Sequence, residues 1–252
     1  MHRADARLKF LLAVGFIVAV ALLPSGAFAA IGLSWLTVVV VSVAAGLGPL
    51  RTSRAALVAV PFALAALPLV ATRPGEPLAA FDLGPLAITI TDAGVRDFLT
   101  ILLKSWVSVQ GALLLAYTTP FHDLVDGLRE LRVPRILIAI IGFMYRYLAV
   151  MADEAGRMMR ARAARSAAPR GGGGGTLAWR ASVTGRMVGS LFLRSYERSE
   201  RVFAAMQARG FDGEFRYLAG PALRRRELVA FGLAALALVG FEIMAQLWLP
   251  RA

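Results

Sequence analysis

The sequence predicts an all-α integral membrane protein of about five transmembrane helices, with a helical cytoplasmic domain inserted before the last. Three observations lead there. Of the 252 residues, 58% are hydrophobic, and mean hydropathy is +0.65; soluble domains are about 45–50% apolar. Five apolar runs recur along the chain, each close to the length needed for a hydrocarbon core of about 30 Å. The net charge of +12 comes from basic residues placed mostly between those runs, where they orient a chain in a bilayer.

Leu8 to Leu23 is the first run, about 24 Å long as a helix, with ends expected to extend into flanking residues. Arg3, Arg7 and Lys9, before it or at its start, and Ala27-Phe28-Ala29 after it, also fit a cleavable secretion signal. Further apolar runs follow, so a first membrane helix is expected instead. Pro24-Ser25-Gly26 predicts a turn. Ala27 to Leu47 is the second span, ended by Gly48-Pro49, and Arg51 and Arg54 mark a basic loop. Ala55 to Ala71 is the third. It contains Pro61 and Pro68, tolerated in a membrane helix when neighbours satisfy the freed carbonyls. Thr72 to Asp97 is more acidic, carrying Glu76, Asp82, Asp92 and Asp97. Alternation over Ile88 to Thr91 predicts a short strand. Phe98 to Tyr117 is the fourth span, with Lys104 near enough to one end to snorkel. Thr118-Thr119-Pro120 opens a short amphipathic helix, with Leu124, Leu128 and Leu131 on one face and Val133-Pro134 interrupting it.

Ile136 to Met151 has the look of another span but is read differently. Alone it is about 24 Å long, and Arg146 in its second half costs roughly 2.5–3.5 kcal/mol at a bilayer centre. The helical pattern continues through Asp153, Glu154 and Arg157 to Arg165. One long helix, greasy at its start and charged at its end, is expected. Charge counting favours the same topology. Nineteen arginines lie between Thr118 and Glu227. If this segment does not cross, they share a side with Arg3, Arg7, Lys9, Arg51 and Arg54. The positive-inside rule then places the N-terminus and the Arg-rich region in the cytoplasm.

Pro169 and Gly171 to Gly175 predict a flexible joint. Thr176 to Met187 reads as a short helix and Val188 to Arg209 as a longer one, with Glu197 and Arg201 spaced for an i,i+4 pair. Arg224-Arg225-Arg226 is a basic stop before the last span, Leu228 to Leu249. Within that span Glu242 and Gln246 lie one turn apart and are expected to face the bundle. The domain boundaries are thus 1–133 for four spans and the amphipathic segment, 134–227 for the cytoplasmic helices, and 228–252 for the last span.

Two short strings end predicted helices: Ala164-Arg165-Ser166 and Ala208-Arg209-Gly210. Each arginine has a purely structural reading, since a cation in the last turn complements the helix dipole and Gly210 is an ordinary C′ residue. As a pair they admit another: two helix ends, each offering a planar guanidinium to a partner's carboxylate, flanked by small residues that permit close approach. Arg146, between Tyr145 and Tyr147, reads either as an interfacial arginine or as a contact to a partner subunit or an internal carboxylate. His122 beside Asp123 is one histidine and one carboxylate, too few for a metal site, and belongs to a helix N-terminus. His2 is read as part of a disordered terminus. Glu242 reads as a packing contact or an ion site. There is no cysteine, no Gly-Lys-Ser/Thr string and no nucleophile with a usable base. The Gly171 to Gly175 run lacks the lysine of a phosphate cradle. No catalytic residue and no metal site is therefore assigned.

The order of several strings resembles the transmembrane coupling subunit of energy-coupling factor transporters, the EcfT/CbiQ family. The strings are Asp5-Ala-Arg-Leu-Lys9, Thr118-Thr-Pro-Phe121, Leu128-Arg-Glu-Leu-Arg-Val-Pro134, Met144-Tyr-Arg-Tyr147, Ala164-Arg-Ser166 and Ala205-Met-Gln-Ala-Arg-Gly-Phe211. Tyr-Arg-Tyr and Ala-Arg-Gly-Phe-Asp-Gly are more similar to its cobalt/nickel branch than to its vitamin branch. Ser166 departs mildly, since glycine is also common there. The resemblance implies a non-catalytic subunit in the plasma or inner membrane, partnered by lipid, by two ATP-binding-cassette ATPases and by a substrate-capture membrane subunit. It implies that Arg165 and Arg209, with Ala164, Ser166, Ala208 and Gly210, dock on the ATPases, and that Pro134, Tyr145, Arg146 and Tyr147 are candidate subunit contacts. ATP and Mg would be bound by the ATPases and no cofactor by this chain, and the cargo would be cobalt or nickel ion. Alternatives are a coupling subunit serving a vitamin, or a membrane-embedded enzyme using Arg146, His122 and Glu242. A nucleic-acid binder is disfavoured by the scarcity of aromatics among the nineteen arginines.

Overall fold

The computed structural model describes residues 5–83, 86–131, 133–165, 176–211 and 225–248, without the side chains of residues 63, 79–89, 226, 242 and 246–248. The protein is an all-α membrane protein, with one β-hairpin among the described residues. By backbone proximity it divides into two units, Met1–Glu130 with Gly220–Ala252, and Leu131–Ala219.

In the first unit, Asp5 caps α1 (Ala6–Leu22) by accepting a hydrogen bond from the Arg7 amide at 2.9 Å, satisfying one of the donors a helix start leaves orphaned. The turn after α1 is pinned to a later helix: Gly26, at φ +81°, donates its amide to Thr100 Oγ1 at 3.1 Å. Helix α2 (Phe28–Ala44) ends in a Schellman motif at Gly46 (φ +72°), with Leu47 N donating to Ser42 O and Gly46 N to Val43 O, both at 3.0 Å. Only glycine takes that backbone conformation without strain.

The third expected span is helical but broken. It runs as α3 (Pro49–Ala55), a 3₁₀ turn, α4 (Val60–Ala63), a second 3₁₀ turn and α5 (Leu69–Thr72). Pro61 lies in the first turn of α4 and Pro68 caps α5, so each proline falls where its missing N–H costs least. The strand expected at Ile88–Thr91 has a partner that sequence reading missed. Strand β1 (Pro77–Leu83) pairs antiparallel with β2 (Leu86–Thr91), Leu83 opposite Leu86 and Asp82 opposite Ala87.

Helix α6 (Asp92–Thr118) organises this unit. Thr91 caps it, accepting from Gly94 N at 3.2 Å and donating to Arg73 O at 2.9 Å. A Cβ on Gly94 would lie 2.7 Å from the carbonyl oxygens of Leu69 and Val70, so only glycine lets α5 approach so closely. Arg73 pairs with Asp97 at 2.9 Å. Around α6 the core gathers Val20, Leu23, Ile31, Val38 and Val107, with Ala245 from α10 (Arg225–Trp248). Trp35 stacks on Trp106 at 6.2 Å, and Trp106 donates its indole N–H to Ser53 O. Lys104, expected to snorkel, reaches the end of α1. Its ammonium donates to the carbonyls of Ala21 and Leu23, satisfying acceptors that the end of α1 would otherwise leave open. The amphipathic helix after α6 is α7 (Phe121–Glu130).

Among the described residues four helices are long and apolar enough to cross a membrane: Pro49–Thr72, Asp92–Thr118, Arg135–Arg165 and Glu227–Ala245. Phe28–Ala44 is a shorter apolar helix. The presence of Arg135–Arg165 in this set qualifies the sequence argument. The length objection counted only the apolar half, whereas the continuous helix is about 46 Å long. Arg146 and the charged second half are what remain against its crossing.

Candidate functional site

The second unit holds the two arginine-ended helices. Helix α8 (Arg135–Arg165) is one unbroken element of 31 residues. Pro134 opens it, exposed, with its carbonyl accepting from Leu137 N at 3.0 Å. Ile138 and Ala139 are buried, while Met144, Tyr145 and Leu148 are exposed. Tyr147 is half-buried and stacks on Phe143, one turn earlier, at 6.0 Å. Arg146 is exposed, and no carboxylate pairs with it among the described residues, so the internal-carboxylate reading finds no partner there.

Helix α9 (Leu177–Ala208) corrects an expectation. The two helices predicted over 176–209 are one of 32 residues. Gly185 and Gly189 sit inside it without breaking it, because each costs only about 1 kcal/mol and no proline intervenes. Thr176 caps it, accepting from Trp179 N at 3.3 Å.

The helices are tied by side chains of opposite charge and by one stack. Glu154 receives Arg157 at 2.5 Å on Oε2 and Arg194 at 2.8 Å on Oε1, with Arg198 at 4.0 Å. Two turns along α8, Arg162 donates to Thr184 Oγ1 at 3.2 Å and lies over the Trp179 ring at 5.9 Å. As the number rises from 154 to 162 on α8, its partner falls from 194 to 184 and 179 on α9, so the helices run antiparallel. Glu197 and Arg201 pair at 3.8 Å on the outer face.

That register separates the two arginine strings. From Glu154 to Arg165 is about 16 Å of helix, and from Arg194 to Arg209 about 22 Å in the opposite direction. Ala164, Arg165, Ala208 and Arg209 are all exposed. The strings therefore mark opposite ends of a clasped pair, up to roughly 40 Å apart, and cannot serve one small ligand. They can serve two separate partners. Ser166 lies outside the described residues, as do His2 and the Gly171 to Gly175 joint. The side chain of Glu242 is likewise not described.

The end of α9 is built in detail. Phe211 N donates to Met206 O at 3.0 Å and Gly210 N to Gln207 O at 2.9 Å, with Gly210 at φ +78°. This is a Schellman motif, and its half-buried Met206 and Phe211 stand at the positions of the usual apolar contact. Arg209 is the C-cap, held on the last turn and aimed into solvent. No atoms crowd Gly210, so only its backbone angle restricts substitution. Gly210→Ala is expected to weaken the helix end by about 1–2 kcal/mol and Gly210→Asn by less. Amide exchange over 205–211 checks this: alanine should accelerate it and asparagine should largely spare it.

His122 and Asp123 fall in the first turn of α7. Among the described residues no three His, Cys, Asp or Glu side chains gather to hold a metal ion.

Comparison with known proteins adds to this geometry. The family model described as CbiQ, cobalt transport protein, matches residues 1–217, which takes in both arginine strings. A cobalt transport protein CbiQ from Rhodobacter capsulatus is 31% identical over 156 residues, 62% of each chain. A nickel permease LarQ from Lactiplantibacillus plantarum is 30% identical over 149 residues, 59% of this chain and 52% of that protein. An energy-coupling factor transporter transmembrane protein EcfT from Clostridium kluyveri is 30% identical over 149 residues, 55% of this chain and 53% of that one. The chain spans less than two thirds of the length of each.

Proposed function

The chain belongs to the CbiQ family of cobalt transport proteins, and from that premise we propose that it is the membrane coupling subunit of an energy-coupling factor importer for cobalt or nickel ion. The observation that carries the proposal is the clasped antiparallel pair α8–α9, with an exposed Ala-Arg string at each outer end. Two ATPases below the membrane each take one arginine-tipped end, a bidentate guanidinium docking on a carboxylate. Their closure on ATP and reopening after hydrolysis shift the two ends, and the pair transmits the shift to a membrane subunit that captures the ion. Pro134, Tyr145, Arg146 and Tyr147, along α8, are the candidate contacts to that subunit. ATP and Mg belong to the ATPases, and this chain performs no chemistry of its own. The N-terminus and the second unit face the cytoplasm, where nineteen arginines between Thr118 and Glu227 satisfy the positive-inside rule.

The lack of cysteine makes the orientation directly testable. Single Arg165→Cys and Arg209→Cys variants in intact cells should resist a membrane-impermeant maleimide and react with it only after the membrane is opened. Labelling of either position from outside intact cells would place that string beyond the reach of cytoplasmic ATPases and refute the proposal.

A further inference from the structure

The start of α1 and the end of α7 are joined more tightly than any loop connection requires. Arg7 forms an ion pair with Glu130, with both side chains about four-fifths covered, and Arg129 approaches the same carboxylate at 4.0 Å. Arg7 is itself steered by Asp5, whose carboxylate accepts its backbone amide at 2.9 Å and faces its guanidinium at 3.6 Å. Lys9, one turn away, donates to Thr118 O at 3.4 Å, at the exit of α6, and lies within electrostatic reach of Asp5 and Asp123. The backbones nearly touch: a Cβ on Gly127 would lie 3.3 Å from Arg7 N. Val125 and Gly127 are buried. Thus Asp5, Arg7 and Lys9, on one segment, hold the exit of α6 at Thr118 and the far end of α7 at Glu130.

The position of this clamp along the chain gives it a consequence. Glu130 is the last residue of the first unit before the chain passes into the second at Leu131, and α8 begins at Arg135. Of the clamped residues, Glu130 is the nearest to α8 along the chain. A paired, largely covered ion pair resists being pulled apart, because separating it leaves charge poorly solvated. A neutral or loosely packed junction would yield to motion of α8 and dissipate it.

Building on the coupling role proposed above, we propose that Arg7 and Glu130 are positioning residues that fix the root of α8 to the membrane helices, with Asp5 and Lys9 holding Arg7 and the α6 exit in place. They touch neither ion nor ATP. They convert displacement of the α8–α9 pair into force on the membrane helices.

The test uses the complete complex in lipid nanodiscs and proteoliposomes, with Glu130→Gln, Glu130→Arg, Arg7→Glu and the double reversal Arg7→Glu/Glu130→Arg. Two quantities are read: amide exchange over 121–130, and cobalt ion uptake per ATP hydrolysed. Each single variant should speed exchange about tenfold or more. Each should also lower uptake per ATP about tenfold while ATP hydrolysis continues. The double reversal should restore both readings to near wild type. Faster exchange with unchanged uptake per ATP would show a merely structural pair and overturn the inference, as would unchanged exchange or a double reversal that rescues neither reading. If a reversal prevents assembly, Glu130→Gln, which removes the attraction without adding repulsion, carries the same two readings. Failure of the wild-type complex to move either cobalt or nickel ion would count against the coupling role. The exchange arm would still report on the clamp by itself.

Discussion

Arg209→Glu is expected to leave the protein inserted in the membrane and to remove nearly all metal-ion uptake by its complex. Under the proposed docking, the guanidinium would be replaced by a carboxylate facing the ATPase's carboxylate. Breaking one side of a desolvated, hydrogen-bonded charge pair costs about 2–5 kcal/mol at an interface, or roughly thirty- to several-thousand-fold in affinity. The change inside this chain is far smaller. A negative charge at a helix C-terminus is disfavoured by about 0.3–1 kcal/mol, and Arg209 is exposed at the C-cap of a 32-residue helix whose end is closed by backbone bonds at Gly210 and Phe211. Loss of uptake with normal membrane levels would therefore report on the partner contact and not on folding. Arg209→Lys should fall between, because an ammonium keeps the charge and loses the fork. Arg165→Glu should behave alike at the other end of the pair. Co-purification of the ATPases with each variant, alongside cobalt uptake, is the measurement. A purified Arg209→Glu complex with its ATPases retained and uptake intact would overturn the docking role.

The second large effect is expected at Glu154. Arg157, Arg194 and Arg198 all converge on its carboxylate. Glu154→Arg would set a fourth cation among three and part α8 from α9 at the place where charge joins them. Glu154→Gln would keep a hydrogen-bond acceptor but lose the charge that draws in Arg194. The arginine variant should lose uptake about tenfold or more, in the range of ordinary coupling factors, with both helices still formed. The glutamine variant should lose less. Circular dichroism of the purified chain checks that the helices persist, and uptake checks the coupling. Paired reversal, Glu154→Arg with Arg194→Glu, should recover part of the loss. Full uptake by Glu154→Arg would mean that the clasp transmits nothing. This effect is independent of the one at Arg209, since Arg194, the α9 partner of Glu154, lies about 22 Å from Arg209 along the helix.

Much of the fold was legible because membrane helices advertise themselves. The apolar runs at 8–23, 27–47, 98–117 and 228–249 became α1, α2, α6 and α10, read from hydropathy, with Pro24, Gly46 and Pro120 just past the ends of the first three. The span over 55–71 was legible as apolar but not as broken, since propensity gives no measure of how far two prolines convert an α ladder into 3₁₀ turns. The β1 strand went unread because only Ile88–Thr91 carries the β-branched alternation, and pairing supplies the rest. Division of 177–208 into two helices failed for the opposite reason: glycines at 185 and 189 weaken a helix on average, yet the clasp with α8 and the Thr176 cap hold it whole. The arginine strings were visible as strings. Their separation was not, since it depends on the antiparallel register that Glu154 and Arg162 impose.

The sequence by itself determined that this chain lives in a membrane and ends two helices in Ala-Arg strings, and its motif order pointed to a family. Those properties are local: hydropathy, charge and motif order need no neighbours to act. Only the tertiary structure decided that Lys104 closes the end of α1, that Arg7 clamps Glu130 across more than a hundred residues, and that the ends of α8 and α9 point away from each other. A charged side chain has many candidate partners along a chain, and which one it meets is settled by the packing that brings distant segments together.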